Sequence, residues 1–226
     1  MIDVSEVLKR KIKEMEDEMY LHMSPWDIVT AFESEIARYT GAKYCVCVDS
    51  CTNALLLALS YSFRGVKKPY VELPMRTYVG VAQSVLNAGG KIHWIDYDWK
   101  DFYIIYPVQV VDSARMFKRN LYESHRVGKN RLVCLSFHWN KSLKIGKGGA
   151  ILTDDKDAAW ELRKMRYDGR TERVHPKDDT FSRGFHCYMS PADAATGLLL
   201  MQNPKDEYED TEDYNYSDLS LQEVFR

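Results

Sequence analysis

Short apolar runs alternate with stretches of helical periodicity along most of this 226-residue chain, and that alternation confines it to a small set of folds. Runs at 44–48, 69–73, 91–95, 104–111, 132–137 and 150–153 read as strands. Between them, 54–59, 77–87, 155–167 and 191–201 read as helices. Ser24-Pro25 reads as a cap followed by proline in the first helical position. The helix it opens carries Trp26, Val29, Phe32, Ile36 and Tyr39 and stops near Gly41. A further charged amphipathic helix is expected over 4–21, with Val4, Leu8, Ile12 and Met15 on one face. Strands alternating with helices predict an α/β fold: a mostly parallel sheet covered by helices on both faces. Continuous apolar strands are what such burial requires.

Composition excludes several functions. A net charge of −2 gives no global electrostatic basis for binding nucleic acid or an acidic membrane surface. No apolar stretch is long enough to span a bilayer. The first residues lack the cationic-then-apolar layout of a secretory signal. The five cysteines are odd in number, and Cys45, Cys47 and Cys134 lie in apolar strand-like runs. Reduced, buried thiols in a cytoplasmic protein fit this better than a disulfide framework. No Cys/His spacing suggests zinc, so no metal is expected. From about Asn203 acidic residues accumulate beside Tyr208, Tyr214 and Tyr216. The chain therefore divides into an α/β body, 1–203, and an acidic, tyrosine-rich tail, 204–226, either disordered or laid over a neighbouring surface.

Candidate chemistry gathers at strand ends. Lys141 follows the run Leu132-Val133-Cys134-Leu135 and precedes the turn Gly146-Lys147-Gly148-Gly149. An amine presented there can form a Schiff base with a carbonyl cofactor if enough of it is neutral. Taken alone, Lys141, Lys144 and Lys147 also read as solvated turn lysines. Asp112 closes an apolar strand, where a carboxylate needs a positive partner such as a protonated pyridine nitrogen. It also reads as the cap of a helix beginning near Ser113. Asp49-Ser50-Cys51-Thr52-Asn53 precedes an apolar helix, whose N-terminus is either an anion site or simply capped by Ser50 or Thr52. Tyr78, after Pro74-Met75-Arg76-Thr77, suits stacking on a planar ring or packing in a core.

Taken in order, these pieces resemble the DegT/DnrJ/StrS type of sugar aminotransferase, pyridoxal-phosphate enzymes of fold type I. The likeness runs from about Phe32 to Gln202. Phe32-Glu33, Tyr39, Gly41 and Tyr44 resemble the family's opening helix and first strand. Asp49 to Leu55 resembles its N-S-G-T-x-A-L phosphate loop, and Pro74 to Tyr78 its P-x-x-T-aromatic segment. Asp112-Ser113-Ala114 resembles its D-A-A element. Ser136-Phe137-His138-Trp139-Asn140-Lys141 with Gly148-Gly149 resembles its S-F-H-x-x-K…G-G motif. Gly184 to Ser190 resembles its G-Y-N-Y-R-M-S segment.

The resemblance implies a pyridoxal-phosphate transferase-like large domain with pyridoxal 5'-phosphate as cofactor. Lys141 and Asp112 would be the catalytic pair, Lys141 carrying the cofactor and shuttling a proton and Asp112 keeping the pyridine nitrogen protonated. Ser50, Cys51, Thr52 and Ser136 would surround the phosphate, and Tyr78 would stack on the ring. Two subunits would share each site in a homodimer, with His186 approaching the partner's phosphate. The substrates would be a nucleotide-linked keto-sugar as acceptor and an amino acid, glutamate, as donor.

Departures from the family pattern are local. Only residues 99–111 separate Asp98 from Asp112, where relatives carry another helix–strand unit, and the small C-terminal domain that closes the site in the family is expected to be lacking. Cys51 replaces the loop glycine, Arg115 a glutamine, His186 an asparagine and Tyr188 an arginine. Arg115 is either a solvated helix residue or the replacement anion contact, its planar fork suiting carboxylate or phosphate. A sugar 3-dehydratase would carry histidine in place of Lys141. The remaining alternative is a reduced, non-catalytic relative that binds cofactor or acts as a scaffold.

Overall fold

The computed structural model describes residue 13 and residues 24–124, 127–172, 174, 175, 177, 179–208 and 215–225. Apart from Lys13, the helix expected over 4–21 lies outside the described residues. Helix α1, Pro25–Thr40, starts at a capping box. There the Asp27 carboxylate accepts the Ser24 N–H at 2.9 Å while the Ser24 hydroxyl accepts helix N–H groups. It stops at Gly41, whose φ of 79° suits glycine and whose N–H donates to the Ala37 carbonyl. Then follow β1 (Tyr44–Val48), α2 (Cys51–Ser62), β2 (Tyr70–Pro74), α3 (Val79–Asn87), β3 (Lys91–Ile95), β4 (Tyr103–Ile105), β5 (Val110–Asp112) and β6 (Phe117–Lys118). The chain continues through β7 (Leu132–Ser136), β8 (Gly149–Thr153), α4 (Lys156–Arg166), α5 (Pro191–Leu200) and β9 (Glu207–Tyr208).

The main sheet has five strands in the order β1-β8-β7-β5-β4. Strands β5 and β7 are parallel; β8 is antiparallel to both of its neighbours, β1 and β7, so β1 runs the same way as β7. Three co-directional strands, β1, β7 and β5, thus deliver their carboxyl ends to one edge, where Asp49, Asp112 and Ser136 lie. The sheet is mixed rather than uniformly parallel because the turn after Lys141 sends β8 straight back along β7. A parallel pair, β2 and β3, continues beside β4 through the Glu72 N–H, which donates to the Tyr106 carbonyl at 2.8 Å.

The run 104–111, expected as one strand, is a hairpin. Strands β4 and β5 pair antiparallel with Tyr103 opposite Asp112 and Ile105 opposite Val110. Pro107 has no N–H for a ladder and Gln109 takes a positive φ of 59°, so the apolar run folds back on itself. The helix considered after Asp112 is absent from the described residues there; a turn leads into β6.

Side-chain alternation along the strands produces two cores, one on each face. Val46, Val48, Val110, Cys134 and Ile151 pack under α2, α3 and α4, against Leu57, Leu59, Val85 and Leu162. Cys45, Cys47, Val111, Val133, Leu135 and Leu152 face α1 and α5, against Phe32, Ile36 and Ala194. Leu57, Leu59 and Ile36 are fully buried, each contributing about 1.5–3 kcal/mol of transfer free energy.

Parts of the stretch 204–226 are seated on this body. Residues 207 and 208 pair with β6, and Leu219 and Phe225 are buried in the core under α2 to α4. Among the described residues no helix is long and apolar enough to cross a membrane.

Candidate active site

The edge that collects Asp49, Asp112 and Ser136 opens into a cavity of about 330 Å³, within the range of small-molecule sites. Ligands gather at strand carboxyl ends in sheets of this kind because loops there diverge and helix N-termini point inward. Ser50, Cys51, Thr52, Tyr78, Asp112, Arg115, Ser136 and Lys141 all line it. His186 does not. Its ring is largely exposed, with Nδ1 3.0 Å from the Asp168 carboxylate.

Asp112 occupies the last position of β5 and is almost fully buried. It accepts the Ala114 N–H at 3.0 Å and the Tyr103 hydroxyl, which stands opposite it in the hairpin. Thr77 lies 2.8 Å behind that hydroxyl, completing a chain Thr77–Tyr103–Asp112. Burial raises the Asp112 pKa above the ordinary carboxylate value. The two hydrogen bonds and the nearby Lys141 charge pull it back without cancelling the effect.

Lys141 sits half-buried in the turn after β7. Its N–H donates to the His138 carbonyl at 2.8 Å, and the Phe137 N–H and Trp139 N–H donate to Gly148 and Gly146. These bonds tie the turn to β8 and fix the lysine's entry into the cavity. Its charge acts on both Asp112 and Cys51, which places all three in one electrostatic neighbourhood.

The loop before α2 packs against the start of β8. A Cβ built on Gly149 would lie 2.5 Å from the Cys51 nitrogen, so only glycine lets the loop close on the sheet. The Ser50 hydroxyl caps α2, accepting the Asn53 N–H at 3.2 Å and donating to Asp49 at 3.0 Å. Thr52 faces the cavity one residue into the helix. Cys51 lies there too; burial, then the Asp112 charge, push its thiol well above the ordinary value, so it is held as the neutral thiol. Tyr78 caps α3 through its backbone, is 55% exposed, and holds its ring beside Thr52.

Several lining residues were not singled out from the sequence: Thr77, Trp99, His138, Asn140, Lys147 and Tyr216. Tyr103, which supports Asp112, was missed because 104–111 reads as one strand and the residue opposite Asp112 is then hidden. For Tyr216 the only signal was a tyrosine in an acidic stretch. Among the described residues no cluster of His, Cys, Asp and Glu side chains suited to a metal ion occurs.

Relatives carry related chemistry. The chain is 23% identical to the Campylobacter jejuni UDP-4-amino-4,6-dideoxy-N-acetyl-beta-L-altrosamine transaminase, the match covering 75% of this chain and 55% of that protein. It is 25% identical to the Pseudomonas aeruginosa UDP-2-acetamido-2-deoxy-3-oxo-D-glucuronate aminotransferase, over 65% of this chain and 51% of that protein. The chain thus spans just over half the length of these relatives. In fold it is similar to a DegT DnrJ EryC1 StrS aminotransferase from Brucella abortus. That structure superposes with a TM-score of 0.73 at 16% identity, covering 98% of this chain and 84% of the other. AtS13 from Actinomadura melliaura superposes with a TM-score of 0.69 at 19% identity, over 86% and 64%. The family model of the DegT/DnrJ/EryC1/StrS aminotransferases matches residues 5–111 and 108–214, the two stretches meeting at β5. With nearly the whole chain accounted for in this way, and with the lysine, the aspartate and the loop before α2 gathered on one cavity, the chain belongs to the DegT/DnrJ/EryC1/StrS aminotransferase family.

Proposed function

We propose that this chain is a pyridoxal-phosphate-dependent aminotransferase that moves an amino group from glutamate to a nucleotide-linked keto-sugar. One juxtaposition carries the reading: the amine of Lys141 and the buried carboxylate of Asp112 share a cavity with the N-terminus of α2. The donor set fits the cofactor. A buried acid whose pKa is raised calls for a cationic partner, and a pyridinium nitrogen is one. The α2 N-terminus with Thr52 and Ser136 suits a phosphate. The two relatives named above are a transaminase and an aminotransferase of UDP-sugars, which supports the substrate class.

Pyridoxal phosphate, when bound, supplies an aldehyde and an electron-withdrawing ring. Asp112 holds a proton on the ring nitrogen, and Tyr103 and the Ala114 N–H hold the Asp112 carboxylate in place. Lys141 would be the residue that holds the aldehyde, and its amine would be the base for the proton at the donor's Cα. Thr52, Ser136 and the backbone around Ser50 and Cys51 would hold the phosphate, and Tyr78, on the same cavity, would pack against the ring. Arg115 takes an anionic group of a substrate. Two copies assemble so that His186 of the partner subunit reaches the phosphate; the exposed position of His186, away from its own cavity, supports this arrangement. Five free cysteines support a reducing, cytoplasmic setting.

The test is an absorption spectrum of the purified chain with pyridoxal phosphate, repeated while glutamate is titrated. Conversion of the lysine-bound form to the pyridoxamine form is expected. Cofactor bound with no response to any amino donor would instead support the non-catalytic, cofactor-binding reading, and no cofactor bound would overturn both.

A further inference from the structure

Tyr216 belongs to none of the family's motifs, yet it lines the same cavity as Lys141 and Asp112. The way residues 215–225 are fastened explains why. The Leu219 N–H donates to the Met75 carbonyl at 2.9 Å, and Asp218 forms a bridge with Arg76. Leu219 and Phe225 are buried, and the Phe225 ring meets Trp94 edge-on at 6.0 Å. These anchors hold Tyr216 beside Trp99, with ring centroids 6.0 Å apart and planes 17° from parallel.

Trp99 is itself fixed. Its indole N–H donates to the Arg76 carbonyl at 2.9 Å, and its ring lies 4.8 Å from that of Tyr103, the residue that supports Asp112. The Arg115 guanidinium stands 5.5 Å over the Trp99 ring. Two aromatic rings and a cation therefore form one continuous wall of the cavity. Both rings are half-buried, so core packing does not account for their full surface. A wall of this kind is complementary to a sugar: the C–H face of a pyranose packs on the electron-rich face of an aromatic ring, and a guanidinium pairs with a carboxylate or phosphate.

We infer that Trp99, Arg115 and Tyr216 seat the sugar ring and an anionic group of the acceptor, with Tyr216 determining which acceptor is taken. This rests on reading the cavity as an aminotransferase site, because Lys141 requires the acceptor's carbonyl carbon in the same space. The anion is either a carboxylate on the sugar or the diphosphate that links it to the nucleoside.

The experiment is calorimetric titration of the cofactor-loaded protein with UDP-glucose, UDP-glucuronate and GDP-mannose, on the wild type and on Tyr216→Ala, Tyr216→Leu, Tyr216→Phe and Arg115→Gln. At least one probe binds the wild type. Tyr216→Ala and Tyr216→Leu weaken it by about tenfold, on the scale of removing one stacking ring, while Tyr216→Phe stays within about threefold. Leucine keeps bulk for packing without offering a ring, so equal losses in Leu and Ala separate recognition from folding, and melting temperatures check that each variant is intact. Arg115→Gln weakens UDP-glucuronate selectively if the carboxylate is held, and all nucleotide sugars alike if the diphosphate is. Affinity within about twofold of wild type in Tyr216→Ala, or no binding of any probe, overturns the inference. Cofactor absorbance recorded on the same samples keeps the two readings apart: a chain that takes no pyridoxal phosphate sinks the aminotransferase reading, and one that takes it but fails the titration sinks only this one.

Discussion

Arg166 and Glu33 form a buried ion pair that binds both backbone polar groups of Cys47. The Glu33 carboxylate accepts the Cys47 N–H at 2.9 Å, and Arg166 Nη1 donates to the Cys47 carbonyl at 2.6 Å. Arg163 adds a bond to Glu33 at 3.0 Å and one to the Cys45 carbonyl at 2.9 Å. Strand β1 is an edge strand, and these side chains do for its outer edge what a neighbouring strand would do. Burial works against charge on Arg166, but Glu33 and Glu172 outweigh it and hold the guanidinium above its ordinary value. The pair thereby stiffens the strand that leads into Asp49 and Ser50.

Breaking that pair on one side leaves a buried charge alone. Arg166→Met is expected to cost about 3–5 kcal/mol of stability, read from urea unfolding. The double variant Glu33→Leu/Arg166→Met is expected to cost less than the sum of the two single changes, because neither member of this pair is left buried without the other. Strict additivity would remove the claim that the two act as a unit.

Burial of the Asp112 carboxylate works against stability. Its folded-state pKa is raised by burial, so the folded chain binds its proton more tightly than the unfolded chain does. Stability is therefore lost as pH rises through the unfolded and then the folded value, and is recovered as pH falls through the same window. Asp112→Asn removes this penalty. The cofactor-free variant should melt above wild type at pH 7. The gap should close as the buffer is made acidic. Added pyridoxal phosphate should raise the melting temperature of the wild type more than that of the variant. Scanning fluorimetry across pH, with and without cofactor, decides it.

Lys141 should be the residue to which the cofactor is fixed. After borohydride reduction, peptide mapping is expected to place the added mass on the peptide containing Lys141. Lys141→Gln should lose that label and at least about 10²–10⁴ in rate, the range for removing a positioned acid–base group. Label recovered on Lys144 or Lys147 instead would assign the chemistry to the wrong side of the turn.

Gly149 is where the loop and the sheet touch most closely. Gly149→Ala places a Cβ 2.5 Å from the Cys51 nitrogen, so the loop before α2 must move. Overpacking of this kind costs about 1–3 kcal/mol. The dissociation constant for pyridoxal phosphate should rise in parallel if the displaced backbone holds the phosphate, as proposed. Cofactor affinity unchanged in a destabilised variant would separate that loop from the phosphate.

Local pattern and local chemistry made much of the site legible. The Ser24-Pro25 start of α1, the apolar strands, the lysine turn and the aspartate closing β5 are each specified by residues a few positions apart. The hairpin within 104–111 was not legible, because its strands and its turn share one apolar run. The proline and the residue at positive φ that break it are weak signals without the partner strands. Tyr103 behind Asp112, and Trp99 and Tyr216 on the cavity wall, went unread for the same reason: their neighbours lie far away in sequence.

What the sequence determined alone was where most strands and helices form, the 104–111 hairpin excepted, and which side chains stand at strand ends, since burial period and capping act over a few residues. The tertiary structure alone decided that β8 lies between β1 and β7, that a buried arginine and glutamate close the edge of β1, and that Tyr216 reaches the cavity. Strand order, edge pairing and cavity walls are set by contacts between distant segments, and the free energy of those contacts is settled only when the whole core closes.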